Sequence, residues 1–132
     1  MAYGSTQYLN NAWLNTIKST GTSFNVAAGI YVKLHISTGP GADGTTNPSS
    51  VTTRVAVTFA AATTGVLTQN GTAPSWTSWA GTNGEVLTSV SYWDASTAGN
   101  CLWTATLASS KTINTGDTFT LSSSALTITN AS

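Results

Sequence analysis

The chain has 132 residues, four basic and four acidic side chains that cancel, and a charged fraction of only 6%, against about 25% in an ordinary globular protein. That scarcity excludes a basic nucleic-acid surface and an electrostatic membrane footprint, and no run approaches the roughly 20 apolar residues of a membrane span. Disorder usually combines low hydrophobicity with high net charge, whereas this chain is 40% hydrophobic and neutral, with Ser and Thr making up about a third of it. Thr-rich, Val-containing, charge-poor sequence suits strands, so an ordered β domain spanning residues 1–132 is expected.

The N-terminal MAYGSTQYLNNAW has neither the basic nor the apolar region of a signal peptide. Residues 5–19 (STQYLNNAWLNTIKS) form the one clear helix pattern. Tyr8, Leu9, Ala12, Trp13 and Ile17 recur at three- and four-residue spacing. Ser5 or Thr6 serves as N-cap, Lys18 suits the C-terminal end of the helix dipole, and Gly21 is the expected stop. Leu14 lies about 100° around the helix from Trp13, so the apolar surface is wider than one sheet face needs. The helix either covers the sheet or docks on a neighbouring subunit, with Tyr8, Trp13, Leu14 and Ile17 as the contact residues.

Residues 29–37 (GIYVKLHIS) read as a strand, with Ile30, Val32, Leu34 and Ile36 facing the core. Tyr31, Lys33, His35 and Ser37 fall on a wet or semi-wet face, where the lone His35 is expected at the surface or hydrogen-bonded. Residues 38–50 (TGPGADGTTNPSS) concentrate Gly, Pro, Asp and Asn and form a long loop. Asp43 and its neighbours lack the alternating acids of a calcium loop. The loop is a contact surface, with Asp43 as its candidate residue, or a plain connection.

Residues 51–60 give a second strand with Val55, Val57 and Phe59 inward, 61–65 a turn, and 66–69 a short return. Residues 70–83 are irregular, since Pro74 argues against a central strand. Trp76 and Trp79 in that stretch either plug the end of the fold or form an exposed glycan-stacking platform. Residues 85–93 and 101–107 form a hairpin around DASTAGN (94–100). Val86, Thr88, Val90 and Tyr92 fall on one face, with Leu87, Ser89, Ser91 and Trp93 on the other. Residues 111–117 read as a connection, and 118–121 and 125–129 as two last strands. Seven or eight short strands with turns every 8–12 residues predict an antiparallel β-sandwich, jelly-roll-like, with one N-terminal α-helix.

Catalytic patterns are missing from the sequence. There is no nucleophile elbow, Cys/His metal cluster, phosphate loop or dinucleotide fingerprint, so no enzyme activity, metal or cofactor is expected. Cys101 is the lone cysteine, read as a buried inert thiol. The acids Asp43, Glu85, Asp94 and Asp117 are scattered. Only a pair of carboxylates brought together by folding would supply glycosidase chemistry.

Taken in order, YLNNAWLNTIKSTGTSF, YVKLHISTGPGADGTTNP, TRVAVTFAAATTG and VLTSVSYWDASTAGNCLWTATL, followed by KTINTGDTFTL, resemble small accessory virion proteins of tailed double-stranded DNA bacteriophages. These are the tail-fibre or minor tail proteins, with related β-domains among head decoration proteins. The resemblance runs from about Tyr8 to Ile128 and rests on structural motifs. It implies a non-enzymatic virion protein, homo-oligomeric, bound to other capsid or tail proteins and assembled in the host cytoplasm. It also admits a host surface glycan as a partner. A carbohydrate-binding module using Trp76 and Trp79 is the alternative.

Overall fold

The computed structural model describes residues 3–18 and 23–128. The elements run β1 (Gly4–Ser5), α1 (Gln7–Ile17), β2 (Ile30–Ile36), β3 (Val55–Phe59), β4 (Val66–Asn70), β5 (Ser75–Trp76), β6 (Glu85–Trp93), β7 (Cys101–Ile113), β8 (Phe119–Thr120) and β9 (Ala125–Thr127). All pairings are antiparallel. Seven strands form one sheet in the order β1-β7-β6-β2-β3-β4-β9, and β5 with β8 makes a separate ribbon. The sheet curls nearly into a barrel, giving the expected β-sandwich with, among the described residues, a single N-terminal helix.

Register explains where the core lies. Val55 pairs with Val32, Val32 with Tyr92, and Tyr92 with Trp103, so four apolar residues cross four strands in one row. Leu34 pairs with Val90 one step along. Side chains on adjacent strands at paired positions share a face, so these rows make one continuous apolar surface. Trp76, Trp79, Phe119 and Leu121 complete the same cluster from the ribbon side, and Ile30, Val55, Phe59 and Leu107 pack at its margin. The Tyr92 and Trp103 rings stack at 4.3 Å and 13°.

Simple alternation fails in β6. Ile36 pairs with Leu87 but His35 pairs with Ser89, leaving Thr88 as an extra residue. A bulge of this kind shifts the alternation by one. Leu87 therefore joins Val90 and Tyr92 in the core, while Val86 is 43% exposed. The strand's two faces thus exchange roles at Thr88, correcting the uniform alternation read from sequence. Opposite the bulge, Leu87 pairs with Lys111 and Ser89 with Thr106, so residues 107–110 arch out of the ladder. β7 then continues to Ile113, which is fully buried, so 111–113 is strand and not connection.

The helix is shorter than its sequence pattern because Gly4 and Ser5 are drawn into the sheet opposite Thr104 and Trp103. Thr6 is the N-cap, accepting from the Leu9 N–H at 3.3 Å. Its hydroxyl also lies 2.6 Å from Cys101 O and its N–H donates to Leu102 O at 2.9 Å. One residue thereby starts the helix and ties it to β7. Lys18 closes it through a bond to Leu14 O, while Gly21 lies outside the described residues.

Leu34 has no exposed surface in the middle of this register. Leu34→Ala should lower unfolding free energy by about 2–5 kcal/mol through lost burial and the cavity left behind. Chemical denaturation followed by tryptophan fluorescence measures this, and an unchanged midpoint would place the core on the other face of β2.

Candidate functional site

The face of the sheet opposite the core is covered by the 38–50 loop. Ile36 N–H donates to Asn47 O at 3.0 Å and Ser49 N–H to Leu34 O at 3.0 Å, so the loop returns along β2. Thr46 N–H donates to Pro40 O, and the Asn47 amide to Gly39 O. Gly44, at φ +77°, lies so close to Cys101 Sγ that a Cβ would collide with it. Only glycine allows both that backbone and that approach.

This cover places His35 at zero exposure, not on a wet face. The expected hydrogen bonding is present. Trp93 Nε1–H donates to Ser91 Oγ at 2.8 Å, and Ser91 Oγ lies 2.7 Å from His35 Nε2. With Trp93 donating into it, the Ser91 hydroxyl gives its own proton to Nε2. That fixes the imidazole proton on Nδ1, 2.8 Å from Thr46 O. Burial, aided by the nearby Lys33 charge, pushes His35 down to about 4. Its role is to clamp the loop in the neutral state.

The other titratable groups are equally committed. Burial pushes the Cys101 thiol up to about 12, so it is no nucleophile at neutral pH. Glu85 accepts the N–H and hydroxyl of Ser50, both at 2.8 Å. Asp94 takes the Asn100 N–H at 2.7 Å, and Asp117 the Asn114 N–H at 2.9 Å. Three of the chain's acids therefore hold loops and turns together. Arg54 lies 3.7 Å from the centre of the Trp93 ring and donates to Ala95 O and Ala98 O, pinning the 94–100 turn to the sheet. Asp43 is different: its bonds go to the N–H and hydroxyl of Thr45 in its own loop, which hold the carboxyl below its usual range.

Among the residues singled out by sequence, the structure separates two groups. Trp76 and Trp79 are 5% and 1% exposed, with their N–H groups donated to Thr53 O and Thr82 O. A stacking platform needs open ring faces, so these indoles are plugs and the platform alternative is corrected. Trp13 packs at the core margin, and Tyr8, 41% exposed, meets Phe24 edge-on. Leu14 and Ile17 stand out at 62% and 80% exposure. Among the described residues no group of three or more His, Cys, Asp or Glu is placed to hold a metal ion, and no helix is long and apolar enough to cross a membrane.

The family described as Podophage GP4 fiber I protein gp80 matches residues 4–129, nearly the whole chain. The chain belongs to that family. No curated protein matches it. Membership in the gp80 fibre family makes this a phage tail-fibre-type protein with a virion structural role, which implies contact with other virion components. The burial of His35 and the pairing of Tyr8 with Phe24 carried no local sequence signal, since both arise from segments that return after a turn.

The His35 clamp has a pH signature. An unfolded histidine takes up a proton near 6.5, whereas folded His35 does so only near 4. Protonation is thus penalised in the folded state: stability is unaffected above pH 6.5 and falls as pH drops towards 4, by at most about 3 kcal/mol in total. Denaturation between pH 7 and 4 should show that slope in the native protein and a shallower one in His35→Gln. Equal slopes would contradict the clamp.

Proposed function

We propose that this chain is a non-enzymatic structural component of the phage tail fibre, acting as one β-domain over residues 1–132. It works as a homo-oligomer or an array, held by protein–protein contacts rather than by catalysis or nucleic-acid binding. It is assembled in the host cytoplasm and contributes to host attachment. The fibre family favours the tail over capsid decoration.

The observation that carries this reading is the outer stripe of α1. Leu14 and Ile17 lie one turn apart on a helix that contains no charged residue, at 62% and 80% exposure. Burying side chains of that size contributes about 1.5–3 kcal/mol each. The uncharged flank, Asn10 and Asn15 included, imposes no charge desolvation cost on a partner. Many copies in one fibre multiply such weak contacts.

Leu14→Glu and Ile17→Glu test it, because neither side chain supports the core. Both variants should keep the native circular dichroism spectrum and melting temperature, yet incorporate into particles at least about tenfold less. Wild-type occupancy in both would remove α1 as the docking element. Trp13→Glu, by contrast, should destabilise the fold itself.

A further inference from the structure

An open depression of about 380 Å³ lies between the start of α1, the 38–50 loop and the 94–100 turn. Its volume falls within the range of about 300–1,000 Å³ usual for small-molecule sites. Gln7, Tyr8, Asp43, Thr45 and Asn100 surround it, and Trp93 and Cys101 are also in its lining. We propose that this depression binds one neutral pyranose ring of a glycan, with Tyr8 as the stacking wall and Asp43 and Asn100 as the hydroxyl-binding groups. The proposal stands apart from the assembly reading, since it needs neither an oligomer nor the Leu14–Ile17 stripe.

The chemistry matches on each side. A pyranose has a flat C–H face and a rim of hydroxyls that both donate and accept. Its C–H face needs a flat, fixed apolar wall, and the half-exposed Tyr8 ring, braced edge-on by Phe24 at 6.3 Å, supplies one. Its rim needs planar groups with spare capacity. The Asp43 carboxylate accepts only, and Thr45 engages just its Oδ1. The Asn100 amide is oriented by its donation to Asp94 Oδ2 at 3.0 Å, which leaves its carbonyl to accept from the ligand. The Gln7 amide offers both a donor and an acceptor.

The site is also built in advance. Asp43 sits on the loop clamped by His35 and seated on Cys101 through Gly44, so ordering that loop costs nothing when ligand arrives. Among the residues around the depression Asp43 is the only charged one. Its low-titrating carboxyl is ionised at neutral pH and repels carboxylated or phosphorylated sugars. The Lys33 and Arg54 cations lie against the Trp93 ring, at 5.9 and 3.7 Å from its centre, and temper this repulsion; direct contact with Asp43 still favours neutral sugars over acidic ones.

The test is an amide-shift titration of the full chain by two-dimensional NMR. The probes are the methyl glycosides of glucose, galactose, mannose and N-acetylglucosamine, with methyl glucuronide as the acidic comparison. At least one neutral glycoside should shift the amides of residues 42–45 and 99–101 saturably, and the glucuronide should bind more weakly than it. Tyr8→Ala and Asp43→Ala should each weaken binding about tenfold or more. Asp43→Asn keeps one oxygen for Thr45 and guards against loop collapse; it should narrow the gap between neutral and acidic sugars. Saturable shifts from none of the neutral probes would overturn the proposal. So would unchanged affinity in folded Tyr8→Ala and Asp43→Ala, an unchanged neutral-to-acidic gap in Asp43→Asn, or shifts at these residues that follow protein concentration alone, which would mark a protein contact instead.

Discussion

The register of β6 between its neighbours is the constraint on which the molecule depends. Tyr92 opposite Val32 and Trp103 places the ring stack inside, and puts Ser91 on the opposite face beside His35. A one-residue slip would exchange the two faces, putting the hydroxyls into the apolar core and the rings under the polar 38–50 loop. The bulge at Thr88 allows this register to coexist with a buried Leu87. Core packing and loop anchoring are thus two consequences of one alignment.

Hydroxyl hydrogen bonding ties together parts of this protein that lie far apart in sequence. Thr6 ties helix to sheet, Ser91 couples Trp93 to His35, and Ser50 bridges Glu85 to Thr82 N–H. Bonds of this kind contribute about 1 kcal/mol each and are insensitive to salt. They leave a surface with little long-range charge, in which the exposed stripe of α1 and the carboxylate of Asp43 are locally distinctive. A phage fibre protein implies contact with other virion components, and a surface of this kind limits non-specific electrostatic attraction.

Legibility from sequence followed how local the signal was. Val32, Leu34, Val57 and the Thr6 cap were readable, because period-2 alternation and capping depend on neighbours in the chain. The face exchange at Thr88 was not, since a bulge is set by pairing with β2 and β7. Residues 111–113 look like a polar connection in isolation and become strand only by pairing with 85–87. His35 seemed to belong to a wet face because the loop that buries it returns only after ten residues. The depression beside Asp43 gathers Gln7, Asp43 and Asn100 from three distant segments, and nothing in any of them announces the others. For Trp76 and Trp79 the sequence left plug and platform open; pairing of Trp76 with Phe119 on β8 decides it.

The most direct measurement is a cryo-electron microscopy reconstruction of the phage tail at side-chain resolution. The expected result is this β-domain in the fibre, with Leu14 and Ile17 covered by a neighbouring chain and the Tyr8–Asp43 depression open to the outside. A fibre in which α1 faces solvent while another surface is covered would contradict the proposed docking face. A tail that lacks the domain altogether would contradict the fibre role itself.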